Sequence, residues 1–144
     1  MGEESQSHKG YQFGNLTGAV IAACREVASE LGSGFSEVTY QRALAVELML
    51  RKIPFQREVD LMVYYKGEAI EIRRADFLVA DELIVELKAV KEFAEEHVAQ
   101  LAMYLKAARF SLGLLVNFGD KFVRIRRVIH SVTPQEYSTE SETT

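Results

Sequence analysis

The sequence predicts an α/β (α+β) fold, a mixed β-sheet flanked by helices, with elements in the order α-α-β-β-β-α-β-β. Three observations predict it. Two segments of helical periodicity open the chain; three strand-like segments joined by short turns follow; one helical segment then separates two further strands. A helix between two strands implies a parallel crossover, so the sheet should be mixed, with helices packed on it.

The first helix rests on Val20, Cys24, Val27, Ala28 and Leu31. They recur at helical spacing after Thr17, a fair N-cap, and before Gly32, which stops the helix. Gly32-Ser33-Gly34 is a tight connection. A second helix is expected from about Ser36 to Lys52, with Tyr40, Leu44 and Leu48 on one face and Pro54 punctuating its end.

Alternation follows. Phe55, Val59, Leu61, Val63 and Tyr65 fall on one face against Gln56, Glu58 and Asp60 on the other, which reads as a strand. Lys66-Gly67 is a turn, Ala69 to Val79 a second strand, Asp81-Glu82 another turn, and Leu83 to Val90 a third strand. The run Leu83-Ile84-Val85 barely alternates, so this strand should be central and covered on both faces. A third helix is expected from Phe93 to Ala108, with Val98, Leu101 and Leu105 at its apolar spacing. The strand Leu112 to Phe118, the turn Gly119-Asp120 and the strand Phe122 to Ile129 complete the pattern.

With 144 residues, 48% hydrophobic and 26% charged, the chain can bury a real core without disulfides or a structural metal. Residues 1–14 and 131–144 are polar and expected to be disordered tails around a single domain at 15–130, the second tail being acidic. The single Cys24 lies on an apolar helical stripe and reads as a small core residue in a reducing compartment. No apolar stretch approaches the roughly 20 residues that span a bilayer. The N-terminus MGEESQSHKG has no apolar core of a leader, so a cytoplasmic location is expected. The net charge of −4 argues against tight nonspecific binding to nucleic acid, where phosphate neutralisation drives affinity. Basic residues nevertheless concentrate at Arg73-Arg74 and at Lys121, Arg124, Arg126 and Arg127.

Three charges fall inside the strand-rich region. Asp76 follows Ile70, Ile72 and Arg74 at alternate positions, with Leu78 beyond it, while Glu86 and Lys88 are two apart and project from one face of the third strand. Charges within apolar strands are costly to bury unless paired or metal-bound. A short turn lets the two strands pair and brings the carboxylates together. Two carboxylates and the Leu87 carbonyl are the hard oxygen ligands that Mg²⁺ or Mn²⁺ prefers, and Lys88 could orient water or stabilise charge on a phosphate. The plainer alternative is a Glu86–Lys88 or Asp76–Lys88 ion pair closing a hairpin. Glu37 shares a helical face with Tyr40, Leu44 and Leu48, and His97, Gln100, Leu101 and Tyr104 share another. Glu37 could equally pair with an arginine, Gln100 could cap a backbone group, and a lone histidine such as His97 is more often satisfied or exposed than a ligand.

The stretch Gly34-Phe35-Ser36-Glu37-Val38-Thr39-Tyr40 resembles the signature of the GxxExxY proteins, a small-domain family of the PD-(D/E)XK nuclease superfamily. The resemblance runs from about Leu16 to Val128 and includes the phrases YYKG, RADFLV, IVELKAV, AQLAMYL and GLLVNFG. It implies a single-domain restriction-endonuclease-like core and a Mg²⁺- or Mn²⁺-dependent nuclease that hydrolyses phosphodiester bonds, DNA being the expected substrate and repair or defence the expected setting. It implies that Asp76 is the motif carboxylate, Glu86-Leu87-Lys88 the E-x-K element and Glu37 the helical acid. Gln100 and Tyr104 resemble a Q-x-x-x-Y element on the following helix. The metal would then take Asp76, Glu86, the Leu87 carbonyl and also Glu37, and Arg73, Arg74, Lys121 and Arg124 are candidates for touching nucleic acid. Ala75 stands where the commonest wording has proline, a position that supplies no ligand. A homodimer is the simplest assembly for cutting both strands of a duplex. The competing reading is a catalytically silent module that binds nucleic acid or protein on the same fold.

Overall fold

A computed structural model describes residues 13–130. The expected tails therefore lie outside the described residues, except for Phe13 and Gly14, which open the first helix. The elements are α1 (Phe13–Leu31), α2 (Glu37–Leu50), β1 (Phe55–Tyr65), β2 (Glu68–Val79), β3 (Leu83–Lys88), α3 (Glu95–Ala108), β4 (Leu112–Asn117) and β5 (Arg124–Ile129), in the order the sequence predicts. One correction concerns the first helix. Thr17 is not an N-cap; it lies one turn inside α1, and its buried hydroxyl has no hydrogen-bond partner among the described residues. Ser36, by contrast, caps α2 through its side chain, which accepts from the Thr39 N–H.

The five strands run in the spatial order β1-β2-β3-β4-β5. β1/β2, β2/β3 and β4/β5 are antiparallel, and β3/β4 is the parallel pair that the α3 crossover demands. β3 is central, and its residues divide between two cores. Leu83, Val85 and Leu87 pack with Val20, Cys24, Val27, Tyr40, Leu44 and Leu48 of α1 and α2. Ile84 packs with Leu101 and Leu105 of α3. The molecule is thus three layers, α1 and α2 on one side of the sheet and α3 on the other. Cys24 is a core residue: burial pushes its thiol up to about 12, which leaves no thiolate for nucleophilic work.

The expected faces of β1 and β2 do not hold along their full length. Phe55 packs with the α1/α2 core, yet Val59 and Leu61, on the same parity, pack with the α3 core. In β2, Phe77 and Val79 belong to the first core and Ala75 to the second. Both strands switch faces at the same level, where Glu58 adopts a left-handed φ of 51° opposite Asp76. Such a conformation costs a non-glycine residue of order 1–3 kcal/mol and breaks the two-residue alternation. Beyond the switch β1 and β2 continue as a two-stranded ribbon. There Ile70 and Ile72 are 62% and 56% exposed, and Arg74 pairs with Asp60 at 3.2 Å, so they share no buried face with Leu78.

The α1/α2 layer is joined to the sheet through Tyr40. Its ring stacks on Phe118 at 4.5 Å, its hydroxyl donates to the Gly32 carbonyl at the end of α1, and the Phe35 N–H donates to it at 3.3 Å. Tyr40→Phe should keep the stack and lose both bonds. The expected cost is about 1–2 kcal/mol, read as a lower urea midpoint with an unchanged slope.

Candidate active site

β2 and β3 pair only from Phe77↔Val85 to Val79↔Leu83. At the next step, where Asp76 would face Glu86, the backbone ladder stops and the side chains take its place. The Asp76 N–H donates to Glu86 Oε2 at 2.6 Å, and the Leu87 N–H donates to Asp76 Oδ2 at 2.7 Å. Each carboxylate therefore spends one oxygen on the other strand's backbone. The remaining oxygens, Asp76 Oδ1 and Glu86 Oε1, take no protein hydrogen bond among the described residues and are not sealed from solvent.

Both acids are held well above the usual carboxylate range. Burial pushes Asp76 up to about 6; the Leu87 N–H opposes it, as does the Lys88 charge, while Glu37 and Glu58 add to it. Burial and then the Asp76 charge push Glu86 up to about 8, against the Asp76 N–H and Lys88. Near neutral pH the metal-free pair keeps about one proton between its two members. Two part-buried carboxylates with a free oxygen each, short of positive charge, fit a divalent cation in donor type and in electrostatics. Asp76, Glu86 and the Leu87 carbonyl could hold it. No three His, Cys, Asp or Glu side chains converge on one point among the described residues, so any cage needs backbone oxygen or water.

Lys88 lies on the Glu86 face of β3 and is half-buried. Its charge lowers both acids, yet among the described residues no ion pair joins it to either. The hairpin is closed by N–H···carboxylate bonds and not by the ion pair that was the plainer expectation. Glu37, the first residue of α2, is near enough for its charge to raise both Asp76 and Glu86. The glycine and tyrosine of its G-x-x-E-x-x-Y stretch explain that placement. Gly34 takes a φ of 113°, which few other residues tolerate, and Tyr40 pins the connection from Gly32 to Phe35, so α2 starts beside the strands. Tyr104 is raised by burial and next by Glu86, which sets it on the same side of the sheet. Gln100 is exposed one turn earlier on α3 and makes no hydrogen bond among the described residues. His97 closes the start of α3, its Nδ1 accepting the Ala94 N–H at 3.1 Å.

The candidate contacts to nucleic acid are largely engaged at the surface. Arg73 pairs with Glu71, Arg74 with Asp60 and Glu58, and Arg124 with Asp120, while the Lys121 ammonium sits over Phe122. Exposed pairs of this kind are worth about 0–1 kcal/mol and exchange readily for phosphate.

Sequence reasoning missed the residues that hold the end of β3. Asn117 is fully buried at the end of β4, opposite Lys88. Its amide donates to the Val90 carbonyl at 2.7 Å and accepts from the Val90 N–H at 2.9 Å and the Gly119 N–H at 3.0 Å. The Phe118 N–H donates to the Lys88 carbonyl at 2.9 Å. Gly119 lies so close that a Cβ would meet the Val90 carbonyl oxygen at 2.2 Å. The clamp ends β3 at Lys88, two residues short of the expected Val90, because a side chain replaces the strand partner. A polar residue closing the apolar run Leu112 to Val116 was the available signal.

A family model of the PD-(D/E)XK nuclease superfamily matches residues 14–128. The chain belongs to this superfamily. No curated protein matches it in sequence. Among solved structures, the crystal structure of SSO0001 is similar in fold, with a TM-score of 0.55 at 17% identity over 74% of this chain and 56% of that one. This member of the superfamily therefore spans little more than half of that protein. Nucleases of the superfamily generally use divalent metal ions.

Two outcomes follow from the site. Asp76 and Glu86 bind protons more tightly in the folded protein, at about 6 and 8, than at their ordinary values of 3.8 and 4.5. Their contribution to stability is full below about pH 4 and is lost as pH rises through the folded values. Metal-free protein should thus show a falling urea midpoint between about pH 4 and pH 9. Asp76→Asn with Glu86→Gln, whose amide oxygens can still accept the two N–H groups, should flatten that slope and abolish Mn²⁺ binding by calorimetry. Separately, Asn117→Ala should cost about 1–3 kcal/mol and speed amide exchange at Val90 and Gly119, since their N–H groups lose their acceptor.

Proposed function

We propose that this superfamily member is a Mg²⁺- or Mn²⁺-dependent nuclease that hydrolyses phosphodiester bonds of DNA at Asp76, Glu86 and Lys88. The observation that carries the reading is the interlocked carboxylate pair with one free oxygen on each, beside a lysine that neutralises neither by contact. A cation bound there supplies positive charge at the phosphate and eases deprotonation of a water.

The chain's own residues do the rest. The N–H groups of Asp76 and Leu87 fix the orientation of the two carboxylates, so their free oxygens need not reorganise as the reaction proceeds. Lys88, held at the strand end by Asn117 and Phe118, has an ammonium free to approach a phosphate oxygen or the attacking water. Glu37, at the start of α2, extends the acidic wall toward the cation or its waters, and the Tyr104 hydroxyl lines the opposite side. Gln100, exposed on the same helix one turn before Tyr104, is assigned to substrate contact.

The test is cleavage of single-stranded, double-stranded and branched DNA with Mg²⁺, Mn²⁺ or EDTA, run beside melting curves. Lys88→Ala should fold normally, bind DNA nearly as well, and cleave about 100-fold more slowly or worse. Lys88→Arg should also fail, since a planar fork does not place a compact charge at the same point. Parental cleavage by Lys88→Ala would end this mechanism. Lost stability with partial rescue by arginine would favour a structural ion pair over a catalytic lysine.

A further inference from the structure

Tyr104 belongs to a second feature, a groove of about 590 Å³ between the outer part of the β1/β2 ribbon and the last turns of α3. Its lining is mixed. Among the described residues its lining holds Lys66, Arg73, Lys106 and Arg109 and one acid, Glu71, which pairs with Arg73. In a chain of net charge −4 that is a local reversal of sign. Among the described residues Lys66 and Lys106 pair with no carboxylate, and Lys66 lies over the Tyr65 ring instead. Between the cations stand large apolar surfaces open to water: Tyr64 is 60% and Met103 64% exposed, and Tyr104, which lies within range of the Glu86 charge, lines the same groove.

Resting on the nuclease reading above, we infer that this groove takes a single-stranded segment of nucleic acid and leads it past Tyr104 to the Asp76–Glu86 site. The combination of surfaces selects this occupant. A duplex shows the protein mainly phosphates, so a duplex site needs broad positive charge and gains nothing from exposed rings. A single strand shows both phosphates and unstacked bases, and is held by a basic track interleaved with stacking platforms. Lys66 and Lys106 supply the track, Tyr64 the stacking platform and Met103 an apolar surface beside it. The acidic remainder of the molecule penalises a second strand by like-charge repulsion. The face switch at Glu58 and Asp76 turns Val59 and Leu61 onto α3, so the outer ribbon runs beside that helix and its Val63, Tyr64, Lys66 and Gly67 form the facing wall of the groove.

Binding and cleavage separate this inference from the nuclease reading. The full chain in EDTA is titrated against fluorescein-labelled oligothymidine of about twelve nucleotides, the same length of hairpin duplex, an RNA strand and polyglutamate. Tighter binding of a single strand than of duplex is expected. Tyr64→Ala should weaken it by about tenfold through lost stacking. Lys106→Glu should weaken it about as much and lower the salt slope by about one. Both positions are exposed, and unchanged melting curves show that the variants fold. A preference for RNA over DNA supports the same groove and identifies its sugar. Equal or tighter duplex binding, tighter polyglutamate binding, or unchanged affinity in both variants overturns the inference. Cleavage by the parental protein in Mn²⁺ together with any of those results removes the groove and keeps the nuclease. Selective single-strand binding without cleavage removes the nuclease and keeps the groove.

Discussion

Everything about the site depends on one substitution of bonding type: at a single level of the sheet, carboxylates take over from peptide groups. Between Phe77 and Val79 the strands β2 and β3 are joined by backbone bonds; one step further on, Glu86 and Asp76 accept the N–H groups that the ladder no longer serves. An unserved N–H beside the core would cost about 1–3 kcal/mol, so the acids are held firmly where their charges are unwelcome. The same level is where β1 and β2 change faces. Glu58 in its left-handed conformation lets β1 and β2 roll together, which opens the seam that Asp76 fills.

The remaining elements act on that seam from both sides. Tyr40 ties the end of α1 and the start of α2 to Phe118, and so sets Glu37 within range of the two acids. Asn117 holds the chain after β3, and so sets where Lys88 leaves the sheet. Phe118 is common to both devices: its ring carries Tyr40 and its N–H serves the Lys88 carbonyl. A change in that loop would therefore reach Glu37 and Lys88 together, although they belong to different layers.

The order of elements, the central β3 and the parallel crossover were legible because they rest on periodicity and on the chirality of short connections. Glu86 and Lys88 were legible as a pair because a strand repeats every two residues. The face switch was not. It arises from one left-handed residue, and glutamate carries no signal for that conformation, so Ile70, Ile72 and Arg74 read as continuing a buried face that ends before Ala75. Thr17 read as a cap because its type is right; the turn before it is nonetheless helical. Tyr104 and Glu37 came from helical spacing and family resemblance, whereas Asn117 depends on a contact between segments 27 residues apart, which no local pattern encodes.

Electrostatics offer a last comparison between the two ways of using these charges. A pair evolved for stability would bring the lysine onto the carboxylates, since partnered part-buried charges cost less than unpartnered ones. Here Lys88 stays out of contact, Glu37 adds a third negative charge within range, and both acids sit far above their ordinary values. Each of these works against the metal-free fold. They would become favourable together if positive charge entered from outside, because a cation that relieved the repulsion would also meet oxygens already aimed by backbone N–H groups. An arrangement that is strained alone and relieved by a ligand is what a preorganised catalytic site requires and what a structural ion pair avoids. The cost is confined to one seam, while the two cores on either side of β3 carry the stability that lets it persist.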